Sequence, residues 1–396
     1  MNTKLQKNDV ICAVYQRRQA TIPELSRAMR LTVPTITKTV EQLLNDQTLL
    51  PVGRASSTGG RCAMRYALNG SRFFFVVVCV ERFAMRLAIA NIANELVTPV
   101  TTVNIGIANA DEMLKLLQAN VRNLINRSGI NRNLIKGIGV AIPGLIDKNT
   151  GVSYSYFEGA NMSMTKLFSK MFPYPVSVRH DMEVMTLAEY TMGAKKGTDN
   201  MLYFNIGAGV GLGIVIDGKL YLGNGGLVGE IGHIPLIDNN KLCYCGKTGC
   251  LETEVSETAI IDRVLTSIQN GVPTTLSRYV QHHPYRLTLQ HILQALQEGD
   301  AFTISLFEQL AEPLGKAITI AMHLFNPQVV VLGGELSAAR QFLLQPILQQ
   351  LNRYAMPQLL NGCQVVTSSL GEQAPLLGNV ASLVEDIFVS NSKLRR

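Results

Sequence analysis

A chain of 396 residues with 47% apolar residues has material for two to three domains with sizeable cores, which excludes global disorder. The longest aliphatic-aromatic run, Phe73–Val80, is far too short to span a bilayer, and Met1–Val10 is polar rather than leader-like, so no membrane partner and a cytoplasmic location are expected. The net charge of +7 is local: residues 1–72 carry eleven Lys and Arg against four Asp and Glu, while the remaining 324 residues carry 25 of each sign. A basic head on a neutral body points to a polyanion-binding module joined to something else.

Residues 6–18 predict a first helix, with Val10, Ile11, Val14 and Tyr15 as its apolar stripe. Thr21-Ile22-Pro23-Glu24 has capping-box spacing and opens a second helix running through Met29. After a tight turn at Leu31-Thr32, Thr32 is placed to cap a third helix with Pro34 in its first turn. In that helix Val33, Ile36, Val40, Leu43 and Leu44 fall on one side, and Thr35, Thr37, Lys38 and Thr39 on the opposite and flanking side. Two short helices joined this way predict a helix-turn-helix. Gln47–Val52 and Met64–Leu68 suit a β-hairpin whose Gly/Ser-rich basic tip, Gly53–Arg61, forms a wing. DNA is the expected partner, with Thr35, Thr37 and Lys38 as base or phosphate contacts and Arg54 and Arg61 as wing contacts. A small helical oligomerisation domain with solvated charges is the competing reading, and the concentrated charge and basic wing favour DNA.

After Gly70 apolar strands alternate with helical segments, the pattern of an α/β chain. Phe73–Val80, Arg86–Asn91 and Glu95–Asn104 read as consecutive strands, followed by a helix Asp111–Asn126 and a strand Ile135–Ala141 ending in Pro143-Gly144. Val176–Val178, a helix Met182–Met192, and the strand pair Met201–Ile206 and Gly211–Ile216 with a turn at Asp217-Gly218 come next. The segment Asn270–Glu298, with His282, His283 and His291, reads as a solvated helical insertion whose histidines lack ligand spacing. A helix Phe302–Phe325 then precedes the strand Gln328–Leu332 and Gly333-Gly334. Gly207-Ala208-Gly209-Val210-Gly211-Leu212-Gly213 follows a strand but leads into another strand, so it is not a dinucleotide loop, which needs a helix N-terminus. A glycine turn between strands can still offer backbone amides to a phosphate.

Three of the seven cysteines fall in the run Cys243-Tyr244-Cys245-Gly246-Lys247-Thr248-Gly249-Cys250, with His233 ten residues upstream. Three thiolates and an imidazole are the ligand set of a closed tetrahedral zinc site, and Gly246 and Gly249 sit where a chain wrapping an ion needs backbone freedom. A disulfide framework fails, because three clustered cysteines cannot pair evenly and Cys12, Cys62, Cys79 and Cys363 are scattered singly. Structural Zn2+ on His233, Cys243, Cys245 and Cys250 is the expected cofactor.

Gly229-Glu230-Ile231-Gly232-His233, followed by the cysteine run and Leu251-Glu252, resembles the signature of the ROK family of bacterial sugar repressors and sugar kinases. Pro143-Gly144, His180-Asp181, the glycine turn and Asn326-Pro327 with Gly333-Gly334 resemble that family in the same order. With the winged helix in front, the resemblance covers nearly the whole chain and is strongest to the branch of N-acetylglucosamine and xylose operon repressors. It implies a winged helix-turn-helix at 1–70 followed by two actin-like (ribonuclease H-like) α/β lobes around a cleft. The small lobe would be 71–180 plus 375–396, and the large, zinc-bearing lobe 181–374.

The resemblance also implies roles. Family kinases use an Asp as general base on a sugar hydroxyl, after an Asn that holds the sugar; Asp181 matches the Asp, and His180 stands where the Asn would be. Glu230, His233 and Glu252 match the remaining sugar-contacting positions, with His233 doubling as zinc ligand. Kinases of the family open their first lobe with an Asp-x-Gly-Gly-Thr phosphate hairpin, but here the stretch reads Cys79-Val80-Glu81-Arg82-Phe83. Glu81 and Arg82 should block close backbone approach, and Cys79 is a poor magnesium ligand. The expectation is therefore no catalysis, with Asp181 a vestigial base, and a sugar-responsive repressor that binds palindromic DNA as a homodimer or homotetramer. An ATP-dependent sugar kinase is the alternative, and a docking protein partner is a third possibility.

Overall fold

The computed structural model describes residues 3–55, 62–81, 84–105, 110–147, 150–154, 163–280 and 287–388. The chain forms two compact units, Met1–Thr191 with Pro375–Arg396, and Met192–Ala374.

The first unit begins with α1 (Thr3–Arg17), β1 (Gln19–Thr21), α2 (Ile22–Met29), α3 (Val33–Asn45), β2 (Leu49–Arg54) and β3 (Met64–Leu68). The three strands form an antiparallel sheet in the order β1-β3-β2, so the predicted hairpin gains a third strand from the link between α1 and α2. The capping box is present: the Thr21 side chain accepts from the Glu24 amide, and Glu24 accepts from the Thr21 amide at 2.7 Å. Thr32 occupies the cap position of α3 but makes no side-chain cap bond; its hydroxyl pairs instead with that of Thr35 at 2.8 Å.

The rest of this unit comprises β4 (Phe74–Val80), β5 (Ala84–Asn91), β6 (Thr101–Asn104), α4 (Ala110–Arg127), β7 (Ile135–Ile142), α5 (Met164–Ser169), β8 (Val176–His180) and α6 (Asp181–Met192). Its sheet runs β6-β5-β4-β7-β8, with β4, β7 and β8 parallel and β5 and β6 antiparallel. Period-two alternation makes β4 a two-faced strand. Val76, Val78 and Val80 join a core with α4 and α5, and Phe75, Val77 and Cys79 join one with α6 and the C-terminal helix. Packing of Val184 and Leu187 into that second core places α6 with the first unit, whereas the sequence puts a boundary before Asp181.

Residues 1–70 also differ from an independent module. Val10–Tyr15 are six consecutive buried residues, not a stripe, and they belong to the same apolar cluster as β4 and the C-terminal helix. Tyr15 donates its hydroxyl to Asn94 Oδ1 at 2.7 Å, and burial raises its pKa well above the ordinary value.

The second unit contains β9 (Met201–Ile206), β10 (Val210–Ile216), β11 (Lys219–Leu220), α7 (Glu252–Val255), α8 (Glu257–Gln269), α9 (Ser277–Val280), α10 (Leu289–Gln297), α11 (Ala301–Phe325), β12 (Val329–Gly333), α12 (Gln341–Tyr354), α13 (Pro357–Asn361) and β13 (Gln364–Thr367). The chain then returns through α14 (Ala374–Phe388) to the first unit. The sheet order β11-β10-β9-β12-β13 repeats that of the first unit, with three strands antiparallel in succession, then two parallel ones added beside the first. Two copies of one topology are what a duplicated actin-like α/β body requires. The segment 270–298 is corrected: Leu276, Leu287, Leu289, Ile292, Ala295 and Leu296 are buried in the core of this unit. Their i, i+3 and i+4 spacing makes α10 amphipathic, and His291 completes a capping box with Thr288. His282 and His283 lie outside the described residues. Among the described residues no helix is long and apolar enough to cross a membrane.

Candidate functional site

The strand-poor stretch after β11 is folded by short-range bonds around four side chains. His233 closes a 3₁₀ turn, Ile231–His233, and Cys243-to-Lys247 and Gly246-to-Cys243 amide bonds tighten the cysteine run into a knuckle. Gly249 has φ 74°, and a Cβ there would strike the Ile237 carbonyl, so the run needs glycine at this point. His233 Nδ1 lies 3.5 Å from Cys243 Sγ, Cys245 Sγ lies 3.6 Å from Cys250 Sγ, and all four ligand atoms fall within 4.8 Å of one another. Tetrahedral zinc with bonds of about 2.0–2.3 Å sets its ligand atoms about 3.5–3.8 Å apart. The donor set and its spacing therefore fit a closed metal site. All three cysteines are free thiols.

The thiols also show why a cation suits this place. Burial pushes Cys250 up to about 12, with the neighbouring thiols adding to it, and burial raises Cys243 as well. At Cys245 burial is outweighed by the Lys247 amide and the other two thiols, and its pKa is lowered. One thiolate forms readily and its neighbours resist ionisation, a conflict that a bound dication removes.

His233 uses its two nitrogens in opposite directions. Nδ1 faces the cysteines, while Nε2 lies 2.9 Å from the Tyr244 hydroxyl and 3.9 Å from a Glu230 carboxylate oxygen. Tyr244 also meets the imidazole edge-on at 5.0 Å between ring centres. Sequence reasoning passed over Tyr244; the signal was its place between two metal-type cysteines, which ties its direction to theirs. Glu252 opens α7 and is buried, and one carboxylate oxygen accepts the Val210 amide at 2.9 Å. It thereby clamps the cysteine knuckle to the start of β10. Three of the predicted polyol contacts, Glu230, His233 and Glu252, thus belong to one segment of the second unit, stretching from the 3₁₀ turn to α7.

His180 and Asp181 belong to the first unit, at the junction of β8 and α6. His180 Nε2 is 3.4 Å from Asp181 Oδ1, which also accepts the Met182 amide at 2.7 Å. Next to them Arg179 binds Glu183 at 2.6 Å and Asp386 at 2.8 Å, pinning β8 to α6 and α14. Burial alone would lower the guanidinium pKa; Glu183, Asp386 and Glu385 outweigh it and raise it. A backbone tied to α6 and α14 by these ion pairs therefore presents His180 and Asp181.

Among its described residues the first hairpin carries none of the features of a phosphate grip. Cys79 is buried, and Glu81 pairs with Arg86 of its own hairpin; Arg82 and Phe83 lie outside the described residues. The glycine turn of the second unit joins β9 to β10 directly, strand to strand.

In the N-terminal module α2 and α3 meet through a turn at Arg30, which adopts φ 52°. Lys38 is exposed on α3, whereas Thr35 and Thr37 are half-buried, and Thr37 returns its hydroxyl to the Val33 carbonyl. Thr39 is buried and bonds to the Thr35 carbonyl, so it is not on the open face. Val33 takes its place: predicted on the apolar side, it is 49% exposed at the start of the helix. Arg54 is exposed at the end of β2, and Arg61 lies outside the described residues.

The sequence profile of the ROK family matches residues 107–386, which is most of the chain. The chain belongs to the ROK family. Among ROK relatives, the DNA-binding transcriptional dual regulator NagC of Escherichia coli is 28% identical over 366 residues, covering 89% of this chain and 86% of NagC. A glucokinase of Halalkalibacterium halodurans is 35% identical over 245 residues, covering 61% of this chain and 74% of that enzyme. A crystal structure described as a ROK family transcriptional regulator, homolog of the E. coli MLC protein, superposes with a TM-score of 0.78 at 26% identity and covers 98% of both chains. The ROK actin-like α/β fold is thus established.

Proposed function

We propose that this ROK protein is a sugar-responsive transcriptional repressor of a carbohydrate-use operon and not an enzyme. The observation that carries the reading is coverage: similarity to the ROK transcriptional regulator of known structure takes in 98% of the chain, the basic N-terminal helices and hairpin with it, whereas the glucokinase is matched by only 61% of the chain. Residues 1–70 act as a winged helix-turn-helix, with α3 entering the major groove. Thr35, Thr37 and Lys38 meet base edges or phosphates, and Arg54 and Arg61 serve the wing. Two copies related by symmetry read a palindromic site whose half-sites are about 34–36 Å apart.

A sugar or sugar phosphate is the effector. Glu230, His233 and Glu252 supply carboxylate and imidazole acceptors for its hydroxyls from the second unit, and His180 and Asp181 are the proposed contacts from the first. Zn2+ held by His233, Cys243, Cys245 and Cys250 is structural, because protein fills all four positions; when bound it supplies charge for the thiolates and rigidity for the loop that presents His233 and Glu252. The hydroxyl of Tyr244 at His233 Nε2 marks where a sugar hydroxyl would bind or be mimicked. The lost phosphate hairpin in the first unit, where Glu81 is tied to Arg86, argues against phosphoryl transfer. An effector shifts DNA affinity by binding one conformational state better than another.

The test is gel-shift titration of the full-length protein on its own operon's promoter at low salt, with and without a panel of sugars and sugar phosphates. Saturable binding that one sugar changes is the expected result. No DNA binding at low salt sinks the repressor reading, and ADP formation with a hexose and magnesium, lost in Asp181→Ala, would establish the kinase instead.

A further inference from the structure

We propose that Glu335 is a built-in anion that closes the phosphate side of the second unit, so that the body refuses adenine nucleotides even though a cleft for the nucleoside persists; the proposal rests on the non-catalytic reading above. The geometry starts from the sheet. β9 and β12 are parallel neighbours with Gly333 opposite Asn205, so the turns that follow the two strands lie side by side. Gly334 has φ 78°, and a Cβ there would strike the backbone of Ile206, so only glycine lets the chain leave β12 this close to β9. The next residue is Glu335. Its carboxylate reaches the β9–β10 glycine turn so closely that a Cβ on Gly207 would collide with it.

Strand-to-strand glycine turns make concave nests of backbone dipole that hold anions. In this turn the chain's own carboxylates occupy both ends. Glu335 covers Gly207, and Glu252 accepts the amide of Val210 at 2.9 Å. Beside the turn, within the same unit, lies a cleft of about 870 Å³ lined by Ser337, Leu344, Thr367 and Ser368. That volume falls within the range of about 300–1,000 Å³ found for small-molecule sites. Among the described residues, Glu257, Glu335 and Glu372 line it against one cation, Arg340, which disfavours a polyphosphate. Room for a nucleoside is present, and the place for its phosphates is filled.

The experiment is calorimetric titration of a non-hydrolysable ATP analogue into the full-length wild type, Glu335→Gly and Glu335→Gln, with melting temperature as the check on folding. Wild type should show no saturation at millimolar analogue. Glu335→Gly should bind about tenfold or more tightly than wild type, and Glu335→Gln should gain less, because it loses the like charge but keeps the bulk. Wild-type binding as tight as that of the variants overturns the proposal. So does a folded Glu335→Gly that gains nothing; if that variant fails to fold, a Glu335→Gln affinity equal to wild type overturns it instead. ATP turnover by wild type would remove the non-catalytic reading itself, whereas a silent wild type with no gain in either variant removes only the role of Glu335.

Discussion

Single residues here carry paired duties that substitution can separate. Cys250 is the proposed metal ligand buried at the base of the knuckle, with its sulfur also 3.5 Å from the His233 carbonyl. Cys250→Ser should abolish stoichiometric zinc, read by elemental analysis, and lower the melting temperature, since structural zinc contributes on the order of 10 kcal/mol of binding free energy in small domains. Retention of one zinc per chain would contradict the ligand assignment. Lys38 makes a simpler case. As an exposed cation on α3, its loss in Lys38→Ala should weaken binding roughly equally on all DNA sequences and reduce the salt slope by about one. Loss confined to one base position would make it a base reader instead. The grouping of His233 with the three cysteines was legible in sequence because metal chemistry demands particular types at short spacing. Tyr244 and Glu335 were not, since a hydroxyl or carboxylate has many innocent uses until a neighbour 2.9 Å away, or a glycine turn beneath it, is seen.

At the scale of elements, caps and faces decided what was right. The capping box at Thr21 formed as spaced, while the open face of α3 differed from its helical wheel: Thr39 is buried and Val33 exposed. A wheel places residues by angle alone, and the first turn of α3 projects beyond the neighbours that would cover it. Asp300 shows how strongly one cap can act. It accepts from the amides of Thr303 and Thr275 and from the hydroxyls of Thr303, Thr275 and Thr274, fixing the start of α11 and the loop before α9. Burial alone would raise its carboxyl, but the amide bonds of Thr275 and Thr303 outweigh it and lower the pKa. A depressed carboxylate contributes stability above its unfolded pKa that is lost as pH falls through the folded value. Asp300→Ala should therefore cost about 2 kcal/mol at neutral pH, by urea unfolding. The gap to wild type should narrow on acidification below the usual carboxylate range; a gap independent of pH would show that the charge is not involved.

On the scale of the whole molecule, the sharpest departure concerns the N-terminal module. The sequence bounds it as a separate domain at 1–70, yet Val10–Tyr15 share one apolar cluster with β4 and α14. A chain beginning at residue 71 should expose that face and aggregate or melt at a lower temperature than the full protein, measured by light scattering and calorimetry. A truncated body as soluble and stable as the whole would mean that α1 only leans on it. Tyr15→Phe tests the same junction more gently, removing the bond to Asn94 at a cost of about 1 kcal/mol. Sequence alone determined the basic head, the α/β alternation, the His/Cys cluster that could hold a metal and the family resemblance, because charge content, hydrophobic period and ligand spacing are local properties of a chain. Only the tertiary structure decided that α1 is core, that 270–298 is packed instead of solvated, and that Glu335 lies on the glycine turn. Those facts depend on which surfaces strands bring together across more than a hundred residues, and no local pattern records that.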